Sequence, residues 1–283
     1  THYYTLTSTE QLDRIWTICY SGINRSCIVL EHVDAVPGMA EETKQLYKAE
    51  AMVLRAFYYN LLWKYWGNVP YYDVNLGAPY FAPQFTADDV YTKCIEHLET
   101  VFAMNVLPMK AAAGQEGRVT AAMAYMLYAE MVMYQNDTER YDEALGYMED
   151  IIASKQYALV PDFASIWLES GEWGSESIWE INYTSEGAAR DWGAPLAAGG
   201  TVYPMLIGIP GATEASGFSD GWGFGPVAKH AYEMYNDGDQ RRDGGIICYN
   251  DLFDPIPQDK WRWQGTGYYL LKYVARRNGT HGQ

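Results

Sequence analysis

The residues most able to do chemistry in this sequence are acids, aromatics and one Asp/Arg-rich loop. Glu169, Glu172 and Glu176 lie in a Trp-rich segment. Paired carboxylates cleave glycosidic bonds, but only at a defined separation in space. With 36 acids in the chain, some pair always falls at a suitable sequence spacing, and the ordinary reading of these three is solvated surface acids. Asn236 to Asp243 begins like a calcium loop. Arg241 then stands where a third oxygen ligand belongs, and Arg242 where the turn glycine belongs. The segment therefore reads as a turn held by Asp239 with Arg241 or Arg242. The five histidines are scattered, with no close ligand pair, and no Gly-x-Ser-x-Gly occurs. Gly221-x-Gly223-x-Gly225 has the wrong spacing for a nucleotide loop. No catalytic residue, metal or cofactor is expected.

The remaining signal is aromatic. The chain has 10 Trp, 25 Tyr and 8 Phe. Trp16, Tyr20, Trp63, Tyr65 and Trp66 fall at helical spacing, which points to core packing. Trp192, Tyr203, Trp222 and Phe224 stand in Gly-rich stretches, with Tyr3 and Tyr4 at the start. Rings in such loops either pack the loop or stack on a ligand, and loops on a rigid scaffold carry much of binding. Arg55, inside an apolar helix, reads as a buried structural cation paired to a carboxylate.

The elements that must position these residues are mostly helical in the first two-thirds. Ser8 or Thr7 caps a helix running toward Leu30. A second runs from Glu41 to Trp66, apolar nearly all round from Ala49 to Tyr59, as a central buried helix would be. Gly67-Asn68-Val69-Pro70 stops it, and a loop rich in Tyr, Gly and Pro follows to Phe85. Thr86 caps a third helix to about Asn105, with Asp88 and Asp89 in its first turn. Helices from Thr120 to Gln135 and from Arg140 to Ser154 form an αα-hairpin of tetratricopeptide-like proportions. Beyond Tyr157, residues 176–183 alternate as a strand does, Tyr268 to Val274 reads as another strand, and Pro226 suits the first turn of a short helix to Tyr235. The Gly-, Pro- and Ser-rich stretch 184–226 is long for a connection without function. The expected fold is mainly α: a single domain over 1–283, with a helical part at 8–156 and a loop-rich part at 157–283 carrying a few short strands.

Composition bounds the function further. There are 20 basic and 36 acidic residues, a formal charge of −16, and 48 % apolar residues. No basic cluster exceeds Arg241-Arg242 or Arg276-Arg277, which excludes a nucleic-acid face and disfavours an anionic membrane surface. Neutral ligands suit such a chain better. Sugars are the obvious class, because their C–H faces stack on rings while their hydroxyls take hydrogen bonds. No stretch has the length of a membrane helix, and no signal peptide is visible. Cys19, Cys27, Cys94 and Cys248 form no Cys-x-x-Cys pair and read as small buried residues.

Several segments together resemble the SusD/RagB family of Bacteroidetes outer-membrane lipoproteins. Glu50 to Tyr59 with Tyr65-Trp66-Gly67-Asn68-Val69-Pro70 is the most specific match. Gly117-Arg118-Val119-Thr120, Tyr157-Ala158-Leu159, Glu176 to Ile181, Tyr232-Glu233 with Asp237 to Arg241, and Lys272-Tyr273 follow in the family's order. Cys27 stands where an Asn is usual.

The resemblance implies a platform of tetratricopeptide-like helix pairs with a loop-rich region packed on it. It implies a noncatalytic protein of the outer face of the outer membrane that captures oligosaccharides and delivers them to a SusC-like TonB-dependent transporter. The helix pairs would carry the transporter contacts, and the loop-rich region would carry the ligand site, with Trp192, Tyr203, Trp222 and Phe224 stacking on sugar and Tyr3 and Tyr4 beside them. Members usually begin with a lipidated Cys and continue past the Lys-Tyr block, so the resemblance also implies a fragment whose membrane contact is a lipid anchor absent from this chain. A RagB-like peptide-binding or transporter-gating module is the second reading. A glycoside hydrolase stands behind both, for want of a placed acid pair.

Overall fold

The computed structural model describes residues 12–183, 200–252, 265–272 and 274–277. The chain divides into two compact units, Thr1–Tyr157 and Ala158–Gln283.

The first unit is helical. α1 (Asp13–His32) and α3 (Ala87–Met104) both pack on α2 (Glu41–Trp66). The α2 sequence explains its place. Ala49, Val53, Ala56, Tyr59 and Leu62 are all buried, together with Ala51 and Trp63, so apolar residues cover more than one stripe. Gly67 ends it with a positive φ. Thr86 caps α3 by accepting from the Asp89 N–H, and Thr120 caps α4 (Ala121–Gln135) by accepting from Met123. Asn105 and Asn136 close these two helices in the left-handed conformation. α4 pairs with α5 (Tyr141–Ala153). Phe102, Tyr125, Tyr128 and Tyr147 pack between α3, α4 and α5, with centroids 4.5 to 5.7 Å apart.

Two polar clips hold the loop after α2. The Tyr59 hydroxyl donates to the Tyr72 carbonyl and accepts from the Tyr72 N–H, both at 2.8 Å. Arg55 donates to the Asp73 carbonyl at 2.7 Å and reaches His97 at 3.4 Å. Its partner is thus a main-chain carbonyl, not the expected carboxylate. Asp73 directs its carboxylate to His97 instead, at 3.8 Å. Burial and the Arg55 charge lower the His97 pKa to about 4. Strands β1 (Val69–Pro70) and β2 (Gln84–Phe85) pair antiparallel across the base of this loop.

The second unit is built from short pieces: α6 (Tyr203–Ile207), α7 (Lys229–Glu233), α8 (Gln240–Asp243), β3 (Ile246–Cys248), α9 (Tyr249–Leu252) and β4 (Tyr268–Leu270). β3 and β4 are antiparallel, with Ile247 opposite Tyr269. Ile209, Ala212, Tyr249, Tyr269 and Val274 form its core. The described residues contain no helix long and apolar enough to cross a membrane.

Several expectations are corrected. Residues 176–183 form no strand; Glu176 accepts from the Val160 N–H at 3.0 Å and Glu180 from the Trp173 N–H at 2.9 Å. Their polar positions therefore serve side-chain clips to the backbone rather than the exposed face of a strand. The helix after Pro226 begins only at Lys229, because the Val227 N–H is tied to the Tyr268 carbonyl. The strand expected at 268–274 is three residues long, and its partner at 246–248 was not anticipated. Tyr65 is exposed rather than packed, and Cys248 is only half-buried, while Cys19, Cys27 and Cys94 are buried free thiols. α1 begins at Asp13, preceded by a single turn at Leu12; the caps assigned to Thr7 or Ser8 lie outside the described residues.

Candidate glycan-binding site

Of the six aromatic residues singled out in the sequence, three lie within the described residues: Tyr203, Trp222 and Phe224. Tyr3, Tyr4 and Trp192 lie outside them.

The three are placed by one local arrangement. Pro204 stands in the first turn of α6, where its missing N–H costs nothing. Gly208 ends the helix, and segment 221–224 then runs back along it. The N–H groups of Gly221, Trp222, Gly223 and Phe224 donate to the carbonyls of Ile209, Met205, Gly208 and Leu206, at 2.8 to 3.0 Å. This ladder requires glycine. A Cβ on Gly221 would sit 2.4 Å from the Gly208 backbone. Gly223 has φ +65°, and a Cβ there would meet Pro210 at 3.0 Å.

Trp222 and Phe224 flank Gly223. Their ring centroids are 6.0 Å apart, with the planes inclined at 58°. Trp222 is 40 % exposed, Phe224 44 % and Tyr203, at the start of α6, 54 %. Large apolar rings left this exposed on a rigid support are the form that a stacking platform takes. Two rings inclined at 58° do not lie flat on one sugar ring.

A second pair of exposed rings was missed in the sequence. Tyr80 and Phe81, in the loop between β1 and β2 of the first unit, are 71 % and 84 % exposed. Tyr80 holds φ +62°, a costly conformation for a residue with a Cβ. The sequence signal matches that of the other ring-bearing loops: residues 71–83 are rich in Tyr, Gly and Pro.

Two of the acids have structural partners. Glu176 is committed to the Val160 N–H. Asp239 accepts from Arg241 three times: from Nε at 3.0 Å, from Nη2 at 2.6 Å and from the backbone N–H at 2.9 Å. These bonds favour the charged form and hold the Asp239 pKa down at about 2. Asp239 is the N-cap of α8, so the Asp-Gly-Asp-Gln-Arg block builds a helix start. Among the described residues, no group of three His, Cys, Asp or Glu is arranged to hold a metal ion.

Residues 1–131 match the family model described as SusD-like, "starch-binding associating with outer membrane". The fold is similar to surface glycan-binding protein A from Bacteroides thetaiotaomicron in complex with laminarihexaose, at 45 % identity and a TM-score of 0.83, over 93 % of this chain and 56 % of that one. It is also similar to surface glycan-binding protein A from Bacteroides fluxus, at 34 % identity and a TM-score of 0.86, over 96 % of this chain and 57 % of that one. A SusD-like protein of Formosa agariphila is 22 % identical over 197 residues, 68 % of this chain and 36 % of that protein. Residues 1–131 thus carry a SusD-like domain, and the chain as a whole is similar to SusD-like surface glycan-binding proteins. It spans a little over half the length of the two solved structures and about a third of the Formosa protein.

Proposed function

We propose that this protein captures a neutral oligosaccharide without cleaving it. Tyr203, Trp222 and Phe224 of the second unit stack on the sugar faces. The observation that carries this reading is the Trp222–Phe224 pair, exposed and held rigid by a glycine-dependent backbone ladder. The inclined rings suit a curved glucan. A laminarihexaose complex of a relative at 45 % identity supports that class of ligand. Trp192, Tyr3 and Tyr4 remain proposed ligand-binding residues, as ring-bearing loop residues.

The protein acts at the outer face of the outer membrane as a lipoprotein and passes its ligand to a SusC-like TonB-dependent transporter. The match to a SusD-like family model described as associating with the outer membrane supports this place and partner. The helical part, 8–156, carries the transporter contacts, and the loop-rich part, 157–283, carries the ligand. Calorimetric titration with laminarihexaose tests the binding, with Trp222→Ala as the control for the site. Co-purification with the cognate transporter tests the partner.

A further inference from the structure

The second unit holds a cleft that the platform rings do not line. It encloses about 660 Å³, within the usual range for small-molecule sites. Phe163, Trp167, Met234 and Tyr235 supply much of its wall, and Asn236, Asp239 and Arg241 its polar groups. We infer that this cleft is a second carbohydrate subsite, which takes a short stretch of glycan separately from the Trp222–Phe224 platform. The inference rests on the glycan reading above and extends it.

Three observations carry it. The wall mixes ring surface with polar groups able both to donate and to accept, which is what a sugar presents in reverse. The polar groups are pre-set: Asp239 and Arg241 are locked together by their paired bonds, and Arg241 also lies over the Tyr235 ring at 5.8 Å. They keep a fixed geometry toward a ligand, at little further entropic cost. Finally, the Trp167 indole Nε1–H is buried and has no hydrogen-bond acceptor among the described residues. A buried donor without a partner is an exception in folded proteins, and it belongs to a ring that lines this cleft. Trp167 is otherwise fixed, by Phe163 at 5.4 Å and by the Lys272 ammonium at 4.6 Å.

The platform and the cleft are lined by different residues of the second unit. A protein with both would hold a glycan at two points, which raises the effective concentration at each.

The test is an NMR titration of the full chain with laminaribiose, following the indole N–H signals of its ten tryptophans. Loss of a signal in Trp167→Phe assigns Trp167, and Trp222→Ala assigns Trp222. The expected result is a saturable shift of the Trp167 signal that persists in Trp222→Ala. Narrowing the cleft with Ala231→Phe or Met234→Trp should weaken that shift at least tenfold and leave the Trp222 response as in the wild type. A Trp167 signal that stays still while the Trp222 signal moves overturns the second subsite and leaves the platform intact. So does a Trp167 shift that both narrowed variants retain. If neither signal moves with laminaribiose or laminarihexaose, the glycan reading itself fails, and the subsite fails with it.

Discussion

The Trp222 and Phe224 rings stand 6.0 Å apart and 58° from parallel, with one glycine between them at φ +65°. The glycine lets the chain turn so that its neighbours reach the surface from one short segment. The ladder to residues 205–209 keeps them there. The exposure of the two rings is thus a property of backbone geometry as much as of the rings themselves.

The first prediction concerns the rings. Trp222→Ala and Phe224→Ala should each weaken oligosaccharide binding by about tenfold, since an aromatic stacking contact is worth about 1 to 1.5 kcal/mol. Both side chains are well exposed, so the melting temperature should change little. Calorimetry and thermal unfolding of the same samples separate the two effects.

The second concerns the support. Gly221→Ala should cost more stability than either ring substitution, because its Cβ would overlap the Gly208 backbone. Gly223→Ala should cost about 1 to 2 kcal/mol for its left-handed conformation alone. Both should reduce glycan binding although every ring is kept. Thermal melts and calorimetry check this.

The third concerns pH. Burial keeps His97 neutral in the folded protein down to about pH 4, whereas the unfolded chain binds that proton near pH 6.5. Between these values the unfolded state holds more protons, so stability falls as pH drops from 6.5 toward 4. The contribution is at most about 3 kcal/mol at the acid end. Urea unfolding across this range should show the slope, and His97→Gln should flatten it.

The fourth concerns the first unit's ion pair. Arg118 donates through Nε and Nη2 to the two oxygens of Glu50, at 2.8 and 2.5 Å, and lies over the Tyr47 ring at 5.1 Å. Arg118→Met leaves the Glu50 carboxylate without this partner and should cost about 1 to 3 kcal/mol. Glycan affinity at the second unit's platform should be unchanged, a comparison that denaturant curves and calorimetry provide together.

The helices were legible because their signals are local. Thr86 and Thr120 cap where a Thr before a periodic run should, and Gly67 stops α2 where a helix-ending glycine should. The second unit was less legible, because its order comes from pairings distant in sequence. β3 is strand only because Tyr268 to Leu270 lies beside it, and 176–183 alternates for the sake of its side-chain clips. The loop setting of Tyr203, Trp222 and Phe224 pointed to exposed rings, but nothing local showed that Gly221 and Gly208 must touch to bring 222–224 alongside 205–209. Tyr80 and Phe81 were overlooked because a loop next to a buried helix reads as part of its packing.

The central claim is that the Trp222–Phe224 platform binds glycan. Calorimetric titration of the wild type and the Trp222→Ala/Phe224→Ala double variant with laminarihexaose tests it most directly. The account predicts saturable binding by the wild type and its loss, by a hundredfold or so if two stacking contacts of about 1.4 kcal/mol each add, in a double variant that melts like the wild type. Equal affinity in the two proteins, or no binding of any neutral oligosaccharide by the wild type, would contradict it.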